Sequence, residues 1–402
     1  MTTTSSFRTA SAALAALLLV ACGGSGGNGG NTSVAGAKVA VVATIAPDFS
    51  GSDTQLVDLD NAFETTGGLT PRDQSDYTVE RFGGHFYPIG RFQIDTVAKY
   101  DFEAPTQRIY EYSTLDNPEA ATSNPVAMAF VDARKAYVMR RETDKVWIVD
   151  PSAENESSFK LGELDLSAYR DADANGAVEA VDGVVIDNRL YVLMQRTVDN
   201  APSDPDTQPY VAVFDVATDE EIDTNPNDDA SNRKGIPLDV RNPSSLAFER
   251  GLGLFVAAIG DPFASFRGEP RRYNGGIVRI DTGDFSTTLV VDDGPETSGE
   301  HPYGSIDDLV ILDADTAFFT GLEGFQNESL FAFDPSTGTV QHTPVSGYDG
   351  VNISALAGSP DGNLWVGIGS ADMPRIEVLA TNQQRLQTIG LIQNPAAIRF
   401  AE

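Results

Sequence analysis

Short apolar runs alternate with turn-forming residues along the chain from residue 38 onward. The runs are rich in Val, Ile, Tyr and Phe, and clusters of Gly, Pro, Asn and Asp separate them. Such runs are typical of β-strands, and such punctuation is typical of the tight turns that join strands. The pattern shows almost no helical periodicity, so it predicts an all-β chain.

The strands also recur as a larger unit of four, named here a to d. Two copies of the unit open with Asn-Pro, and the c strand of three copies ends in Asp before a turn. These positions are Asn124-Pro125, Asn242-Pro243, Asp150, Asp281 and Asp334. An Asp side chain can accept a hydrogen bond from the backbone two residues on, which starts the hairpin to strand d. A four-stranded repeat of about 40 to 50 residues indicates a propeller blade.

Seven blades fit between residue 38 and the end of the sequence. Their b strands are predicted at 39–44, 85–89, 136–139, 190–194, 254–258, 317–320 and 364–368. The first blade has no a strand before its b strand, whereas residues 394–400 form an extra a-type strand with the Asn-Pro opening. We therefore expect a seven-bladed β-propeller whose C-terminal strand completes the first blade and so removes exposed sheet edges. A β-sandwich or two smaller β domains are the alternatives.

The Asn-Pro openings and the c strands that end in turns of the Val-Asp-Pro type resemble those of a known group. They are similar to the YncE-like and quinoprotein-dehydrogenase-like seven-bladed propellers, and the resemblance covers residues 38–402. It implies the architecture. It implies no particular function, because propellers include enzymes, ligand binders and scaffolds.

The N-terminal segment resembles a bacterial lipoprotein signal peptide. Arg8 precedes an apolar run at 10–21, which is too short to span a bilayer, and Leu19-Val20-Ala21-Cys22 fits a lipobox. The resemblance implies cleavage before Cys22 and lipidation of its sulfur. An ordinary secretory signal with a chance cysteine is the alternative.

The residues after the lipobox extend this interpretation. Gly23 follows the cysteine, which by resemblance favours outer-membrane delivery, with the protein facing the periplasm or the cell surface. Residues 23–37 are mostly Gly, Ser, Asn and Thr, a composition typical of a flexible tether. We expect a signal peptide at 1–21, a lipidated cysteine and tether at 22–37, and one propeller domain at 38–402.

The charge balance narrows the choice of partners. The chain has 59 acidic and 27 basic residues, and its formal net charge is −32. A phosphate backbone would repel such a body, so the composition excludes nucleic acid as a partner. The acidity otherwise favours solubility.

The insertions indicate a working face, because the b–c and d–a loops of a propeller share one face. The insertions predicted at 172–180, 197–209, 260–274 and 294–304 all fall in such loops, and function is often built on long loops. The ligand-binding residues predicted at this face are Arg140, Arg141, Arg196, Arg267, Arg271, Arg272, Tyr273, His85, His301 and Tyr303. Guanidinium groups suit anionic ligands. The alternative is that these Arg residues pair with the abundant carboxylates.

A second motif predicts calcium. Asp171, Asp173, Asn175 and Gly176 resemble the first part of an EF-hand loop, and Asp182 stands where that family has a bidentate Glu. Alternate carboxylates at this spacing can converge on one hard cation. The alternative is a plain Asp-rich loop without a metal.

These observations favour a non-enzymatic binding lipoprotein. It would capture a small anionic molecule or metal chelate and pass it to a membrane partner such as an outer-membrane transporter. The alternatives are a calcium-dependent propeller hydrolase or lyase and a protein-interaction scaffold. The chain lacks HExxH, G-x-S-x-G and phosphate-loop motifs, so no catalytic residue is assigned.

Overall fold

The protein folds as a seven-bladed β-propeller. The computed structural model describes residues 38–170, 177–197, 208–226, 233–295 and 299–401. These residues form seven antiparallel sheets of four strands, and each a strand contacts the a strands of both neighbouring blades. The predicted fold class is therefore confirmed. Cys22, Asp171, Asp173 and Asn175 lie outside the described residues.

The first three blades follow one another from the N-terminal side of the ring. From the axis outward, blade 1 contains β28 (Asn394–Ala401), β1 (Val39–Ile45), β2 (Ser52–Asp58) and β3 (Glu64–Thr66). Blade 2 contains β4 (Tyr77–Phe82), β5 (His85–Gly90), β6 (Thr96–Asp101) and β7 (Ala104–Ser113). Blade 3 contains β8 (Pro125–Asp132), β9 (Lys135–Arg140), β10 (Lys145–Val149) and β11 (Lys160–Asp165).

The other four blades have the same order. Blade 4 contains β12 (Ala180–Ile186), β13 (Arg189–Met194), β14 (Tyr210–Asp215) and β15 (Ile236–Pro237). Blade 5 contains β16 (Pro243–Glu249), β17 (Gly253–Ala258), β18 (Gly276–Ile280) and β19 (Thr287–Val291). Blade 6 contains β20 (Ser305–Ile311), β21 (Ala317–Gly324), β22 (Asn327–Asp334) and β23 (Thr339–Val340). Blade 7 contains β24 (Ile353–Gly358), β25 (Leu364–Ile368), β26 (Arg375–Leu379) and β27 (Arg385–Gly390).

Short 3-10 helices interrupt three connections, at Glu156–Ser158, Ser167–Tyr169 and Ala264–Arg267. Among the described residues, no helix is both long and apolar enough to cross a membrane.

The two ends of the domain meet in blade 1. Strand β28 pairs with β1 over its length, from Val39 opposite Ala401 to Ile45 opposite Asn394. The inner strand of the first blade therefore comes from the C-terminal end, as predicted. The ring has no open sheet edge at this junction.

Neighbouring blades pack through apolar side chains on both faces of their sheets. Val41 and Val42 are adjacent in β1 and both fully buried, because one faces blade 2 and the other faces blade 7. Strands buried on both faces carry continuous apolar runs rather than strict alternation. This packing explains why the b strands were the easiest to locate: all seven begin within one residue of their predicted start.

The repeated Asp residues play the predicted role in the c–d turns. In six blades the c strand is followed by a carboxylate that accepts a hydrogen bond from the backbone N–H two residues on. These residues are Asp58, Asp101, Asp150, Asp215, Asp281 and Asp334. The side chain thus replaces a backbone acceptor and fixes the turn.

The Asn-Pro openings fix the start of the a strands. Asn124 and Asn242 adopt positive φ angles of 49° and 54°. Their carbonyl oxygens accept hydrogen bonds from the residues that follow strand b, Arg141 (2.9 Å) and Ile259 (3.0 Å). Proline fits the first strand position because it has no N–H to donate to the ladder.

Antiparallel pairing places the connections at two ends of the propeller. The b–c and d–a loops lie at one end, called here the b–c face, and the a–b and c–d turns lie at the other, called the a–b face. The described parts of the four predicted insertions lie on the b–c face. The c–d connections of blades 3 and 4, at 150–159 and 216–235, are long as well, and their described parts lie on the a–b face.

Candidate functional site

Most of the predicted arginines on the b–c face are engaged by neighbouring groups. Arg140 is buried, lies 4.5 Å from the Trp147 ring centroid and pairs with Asp116 at 2.7 Å. Its Nε and Nη1 atoms have no hydrogen-bond partner among the described residues. This arginine therefore binds blade 3 to the loop that follows blade 2, below the surface.

Arg141 and Arg196 follow the b strands of blades 3 and 4 but contact different groups. Arg141 pairs with Glu142 at 3.1 Å and donates to the Gln195 side-chain oxygen at 3.2 Å. Arg196 is buried and donates to the carbonyl oxygens of Tyr169 and Gln208. Each guanidinium group is therefore held by neighbours of its own.

Arg267 and Arg272 lie in the b–c loop of blade 5 and form ion pairs there. Arg267 pairs with Asp261, and Arg272 lies 3.8 Å from Glu269. These contacts match the alternative in which the arginines hold loops in place.

His85 does not belong to this face. It is the first residue of β5 and pairs in register with Phe82 and Asp101, so it lies at the a–b face. Burial lowers the pKa of His85, and the nearby Lys99 lowers it further. The expectation that His85 joins the arginine-bearing face is wrong. A b strand begins at the a–b face and ends at the b–c face, and His85 is the first residue of its strand.

Arg271 differs from the other predicted arginines. Its Nη1 donates to the Glu323 carbonyl oxygen at 3.0 Å, its Nη2 to the Leu322 carbonyl oxygen and its Nε to Ser305 Oγ at 3.3 Å. All three acceptors are neutral groups of blade 6. The guanidinium thus bridges blades 5 and 6 without a carboxylate partner among the described residues.

One pair of stacked rings lies beside Arg271, and a second pair lies on the b–c face of blade 6. Tyr273 stacks on His301 with centroids 3.4 Å apart, and the Arg271 guanidinium lies 5.1 Å from the Tyr273 ring centroid. Tyr303, which is buried, makes a 2.8 Å hydrogen bond through its hydroxyl to His342 Nδ1. Four residues predicted for this face, Arg271, Tyr273, His301 and Tyr303, therefore come from two loops that meet at blades 5 and 6.

The same place holds three buried polar atoms without a hydrogen-bond partner among the described residues. They are Asn274 Oδ1, Asp293 Oδ1 and His301 Nδ1. The backbone N–H of Gly275 donates to the other Asp293 oxygen at 3.2 Å, and Gly294 lies directly against His301. Buried polar atoms are normally paired, so three orphans in one cluster require an explanation. We call Arg271, Tyr273, Asn274, Asp293 and His301 the blade 5–6 cluster.

The electrostatics of this cluster depend on Asp293. Burial raises the pKa of Asp293 to about 7, and the nearby Asp292 adds to the effect, while the Gly275 N–H and Arg271 oppose it. Burial also raises the pKa of Tyr273, whereas Arg271 lowers it. At neutral pH Asp293 can therefore exchange between a hydrogen-bond donor and an anion.

A second polar group lines the central channel. Arg399 on β28 forms a two-point ion pair with Glu80 on β4, with distances of 2.9 and 2.7 Å. Asp182 on β12 is buried, and its two oxygens accept the backbone N–H groups of Leu246 (2.9 Å) and Gly183 (2.8 Å). Asp182, predicted as a calcium ligand, is thus engaged by backbone donors in the channel wall. The calcium site itself stays a prediction.

Two further carboxyl groups lie on β20. Burial raises the pKa of Asp307 well above its usual value, and the neighbouring Asp308 and Glu328 carboxylates raise it further. Within the described ranges, no three His, Cys, Asp or Glu residues are grouped so that they could hold a metal ion.

Several of these residues have little local signal in the sequence. Asp293 and Asn274 were missed because Asp-Asp-Gly and Asn-Gly are ordinary turn sequences in this chain. Arg399 could have been found, since it is a charged residue between the apolar Ile398 and Phe400 in the predicted C-terminal a strand. No local pattern links His342 to Tyr303, because their contact spans 39 positions of sequence.

Solved structures share the fold but are distant in sequence. A protein from Lactobacillus plantarum has a TM-score of 0.60 and 14% identity, covering 91% of this chain and 100% of its own. A quinoprotein alcohol dehydrogenase-like protein from Bacteroides thetaiotaomicron has a TM-score of 0.51 and 11% identity, with 91% of each chain covered. A 6-phosphogluconolactonase-like protein from Bacteroides fragilis has a TM-score of 0.50 and 14% identity, covering 90% of this chain and 98% of its own.

No protein-family model and no curated protein matches the chain. Identities this low establish the propeller architecture alone. Since the same architecture carries unrelated functions, the function has to be argued from the site.

Proposed function

We propose that the protein is a membrane-anchored, extracytoplasmic binding protein that captures a small anionic ligand at the blade 5–6 cluster. The observation that carries this proposal is the grouping of three buried polar atoms without a hydrogen-bond partner, on Asn274, Asp293 and His301, beside the Arg271 guanidinium, which forms no ion pair with a described carboxylate. A ligand would supply the missing partners.

The chemistry of the cluster defines the ligand. Arg271 is held in place by blade 6 and keeps its positive charge, which favours an oxyanion next to it. Asn274 Oδ1 can accept a hydrogen bond, and His301 Nδ1 can accept or donate one according to its tautomer, so both suit hydroxyl or amino groups on the same molecule. A hydroxycarboxylate has both kinds of group. A metal chelate with exposed hydroxyl groups would meet the same requirement.

The anchoring half of the proposal rests on the lipobox that ends at Cys22. The protein would be an outer-membrane lipoprotein that faces the periplasm or the cell surface. The tether would let the propeller move beside the membrane and deliver its ligand to a membrane partner such as a transporter. Replacement of Cys22 by Ser is expected to release the protein into the soluble fraction, and membrane retention of that variant would contradict lipid anchoring.

The binding half is tested with two variants and two matched controls. We expect Arg271→Ala and Asp293→Asn each to weaken binding of a hydroxycarboxylate such as citrate by about tenfold or more, as expected for loss of a charged hydrogen bond. Arg250 and Asp187 form an exposed pair at 3.7 Å on the a–b face. Arg250→Ala and Asp187→Asn therefore remove the same charges from another place and should leave binding unchanged.

The measurements are isothermal titration with citrate and mass spectrometry of small molecules released from protein purified from its native host. Metal analysis of the same sample distinguishes a free acid from a chelate and would also detect calcium. Unchanged affinity of Arg271→Ala and Asp293→Asn for the released molecule would show that the ligand binds elsewhere.

A further inference from the structure

Exposed apolar side chains are unevenly distributed over the propeller. Within the described part of the chain, nine large apolar side chains are exposed, and five of them lie on the b–c face. These five are Phe49 (39% exposed), Phe266 (70%), Phe325 (54%), Met373 (70%) and Ile392 (68%). They belong to blades 5, 6, 7 and 1, which are consecutive in the ring, and we call them the apolar arc.

The other four exposed apolar residues lie on outer strands and are separated from one another. Ile109, Leu161, Leu289 and Leu386 lie on the outer d strands of separate blades. Single apolar residues scattered over a surface are normal and need no partner. The b–c loops of blades 2, 3 and 4 carry no such residue among those described. The apolar arc is therefore a local feature of one half of one face.

Exposed carboxylates accompany the arc. Asp48 precedes Phe49, Glu323 lies two residues before Phe325, and Asp372 precedes Met373. No ion pair joins any of the three to another described residue. The arc thus alternates exposed apolar groups with unneutralised negative charge.

We infer that the apolar arc is a docking surface for a partner protein that presents a basic, apolar segment. Aromatic and Met side chains are enriched in the cores of protein interfaces, and complementary charge guides association. Lys or Arg side chains of the partner would pair with the three carboxylates while its apolar side chains cover Phe266, Phe325 and Met373.

The position of the chain entry supports a protein rather than the anchoring membrane as the occupant. Lys38 joins β1 at the a–b face, where its N–H donates to the Ala401 carbonyl oxygen at 2.9 Å. Residues 22–37 therefore attach to the end opposite the arc. If Cys22 is lipidated, as proposed above, the anchor is joined to the propeller at the end opposite the arc, which leaves the arc open to a partner.

Net charge argues against two other occupants. A second copy of this chain would add another charge of −32, and an anionic lipid surface would add its own negative potential. A basic partner would be attracted to the acidic protein rather than repelled by it. The arc also borders the blade 5–6 cluster, because Phe266 shares a loop with Arg271 and the Glu323 carbonyl oxygen accepts from Arg271.

The test uses a defined probe, a fluorescent amphipathic peptide of Lys and Leu, with a second peptide in which every Leu is replaced by Ser. Affinity is measured by fluorescence anisotropy at moderate salt. We expect the Lys/Leu peptide to bind at least tenfold more tightly than the Lys/Ser peptide. We also expect Phe266→Ser with Phe325→Ser to weaken its binding at least tenfold, because two apolar contacts are lost.

Matched variants separate the arc from general attraction to an acidic protein. Leu161→Ser with Leu386→Ser removes two equally exposed apolar residues from outer strands and should leave peptide binding unchanged. Asp48→Lys with Asp372→Lys should weaken peptide binding. The peptide assay contains no citrate, so failure of ligand binding at the blade 5–6 cluster leaves this inference standing.

Three results would overturn the inference. Equal affinity for the two peptides, or equal losses in the arc and outer-strand variants, would show that only net charge attracts them. Binding of the protein to vesicles of phosphatidylcholine and phosphatidylglycerol through Phe266 and Phe325 would identify a membrane surface instead. Loss of a dimer in sedimentation when the arc is substituted would identify a second copy of this chain.

Discussion

Two junctions between blades bury polar groups in opposite ways. At the junction of blades 1 and 2, which we call the closure seam, Arg399 and Glu80 satisfy each other with two hydrogen bonds. At the junction of blades 5 and 6, Asn274, Asp293 and His301 each keep a buried atom without a partner among the described residues. The Arg399–Glu80 pair satisfies itself, whereas the three atoms of the blade 5–6 cluster have no partner in the part of the chain that the structure describes.

This difference has a physical meaning. A buried ion pair with its hydrogen bonds made joins strands that are far apart in sequence, here residues 80 and 399, and removing one partner leaves an uncompensated charge. An unpaired buried polar atom gives no stability and costs desolvation free energy. We therefore expect substitutions at the closure seam to act on stability and substitutions at the blade 5–6 cluster to act on ligand binding.

The largest effect should come from breaking the closure seam. Arg399→Leu leaves the Glu80 carboxylate buried without its partner, so we expect the free energy of unfolding to fall by about 3–5 kcal/mol. The double variant Arg399→Leu with Glu80→Leu removes both charges and should recover much of that loss. Urea denaturation of the single and double variants measures both values. A single variant as stable as the wild type would mean that the pair does not hold the ring closed.

A medium effect should appear in the pH dependence of stability. Burial raises the pKa of both Asp182 and Asp293 to about 7 in the folded protein, above the unfolded value. The folded state then binds more protons between about pH 4 and pH 7, so each group favours folding at low pH and loses that contribution as pH rises through 7.

The comparison of variants isolates these two groups from the many other carboxylates. Asn resembles neutral Asp, so Asp293→Asn should match the wild type near pH 4 and become the more stable protein as the pH rises to 8. Asp182→Asn should also gain stability relative to the wild type as the pH rises. Thermal melts at several pH values give the difference. A constant difference between Asp293→Asn and wild type from pH 4 to 8 would show that Asp293 titrates near its usual pKa.

The sequence predicted the architecture well because each blade carries local signals. The b strands, the Asp residues that start c–d turns and the Asn-Pro openings are set by contacts within a few residues or within one hairpin. The position of β28 followed from counting strands, since one a strand was missing at the start and one was left at the end.

The site was predicted in part, and the reason lies in side-chain partners. Position in the repeat placed Arg271, Tyr273 and His301 in two adjacent loops of one face, and these three side chains lie together in the structure. It could not show that Arg140, Arg141, Arg267 and Arg272 are paired with Asp116, Glu142, Asp261 and Glu269, because each choice depends on rotamers and on loops of the neighbouring blade. His85 failed for a simpler reason: the predicted strand was right, but its first residue lies at the other end of the blade.

The smallest effect should distinguish an orphaned atom from a paired one. His301→Phe keeps a ring that can stack on Tyr273 and removes the unpartnered Nδ1 atom, so we expect the free energy of unfolding to stay within about 1 kcal/mol of wild type or to rise. Tyr169→Phe is the matched control at a buried ring. Its hydroxyl donates to Glu221 and accepts the Gly235 N–H at 2.6 Å, so its loss leaves both without a partner and should cost roughly 1–3 kcal/mol. Both variants are measured by thermal and urea unfolding with no added ligand. If His301→Phe loses as much stability as Tyr169→Phe, then His301 Nδ1 has a structural partner in the unliganded protein, and the blade 5–6 cluster resembles the closure seam after all. If only Tyr169→Phe loses stability, the open hydrogen-bonding capacity of His301 is available to a ligand.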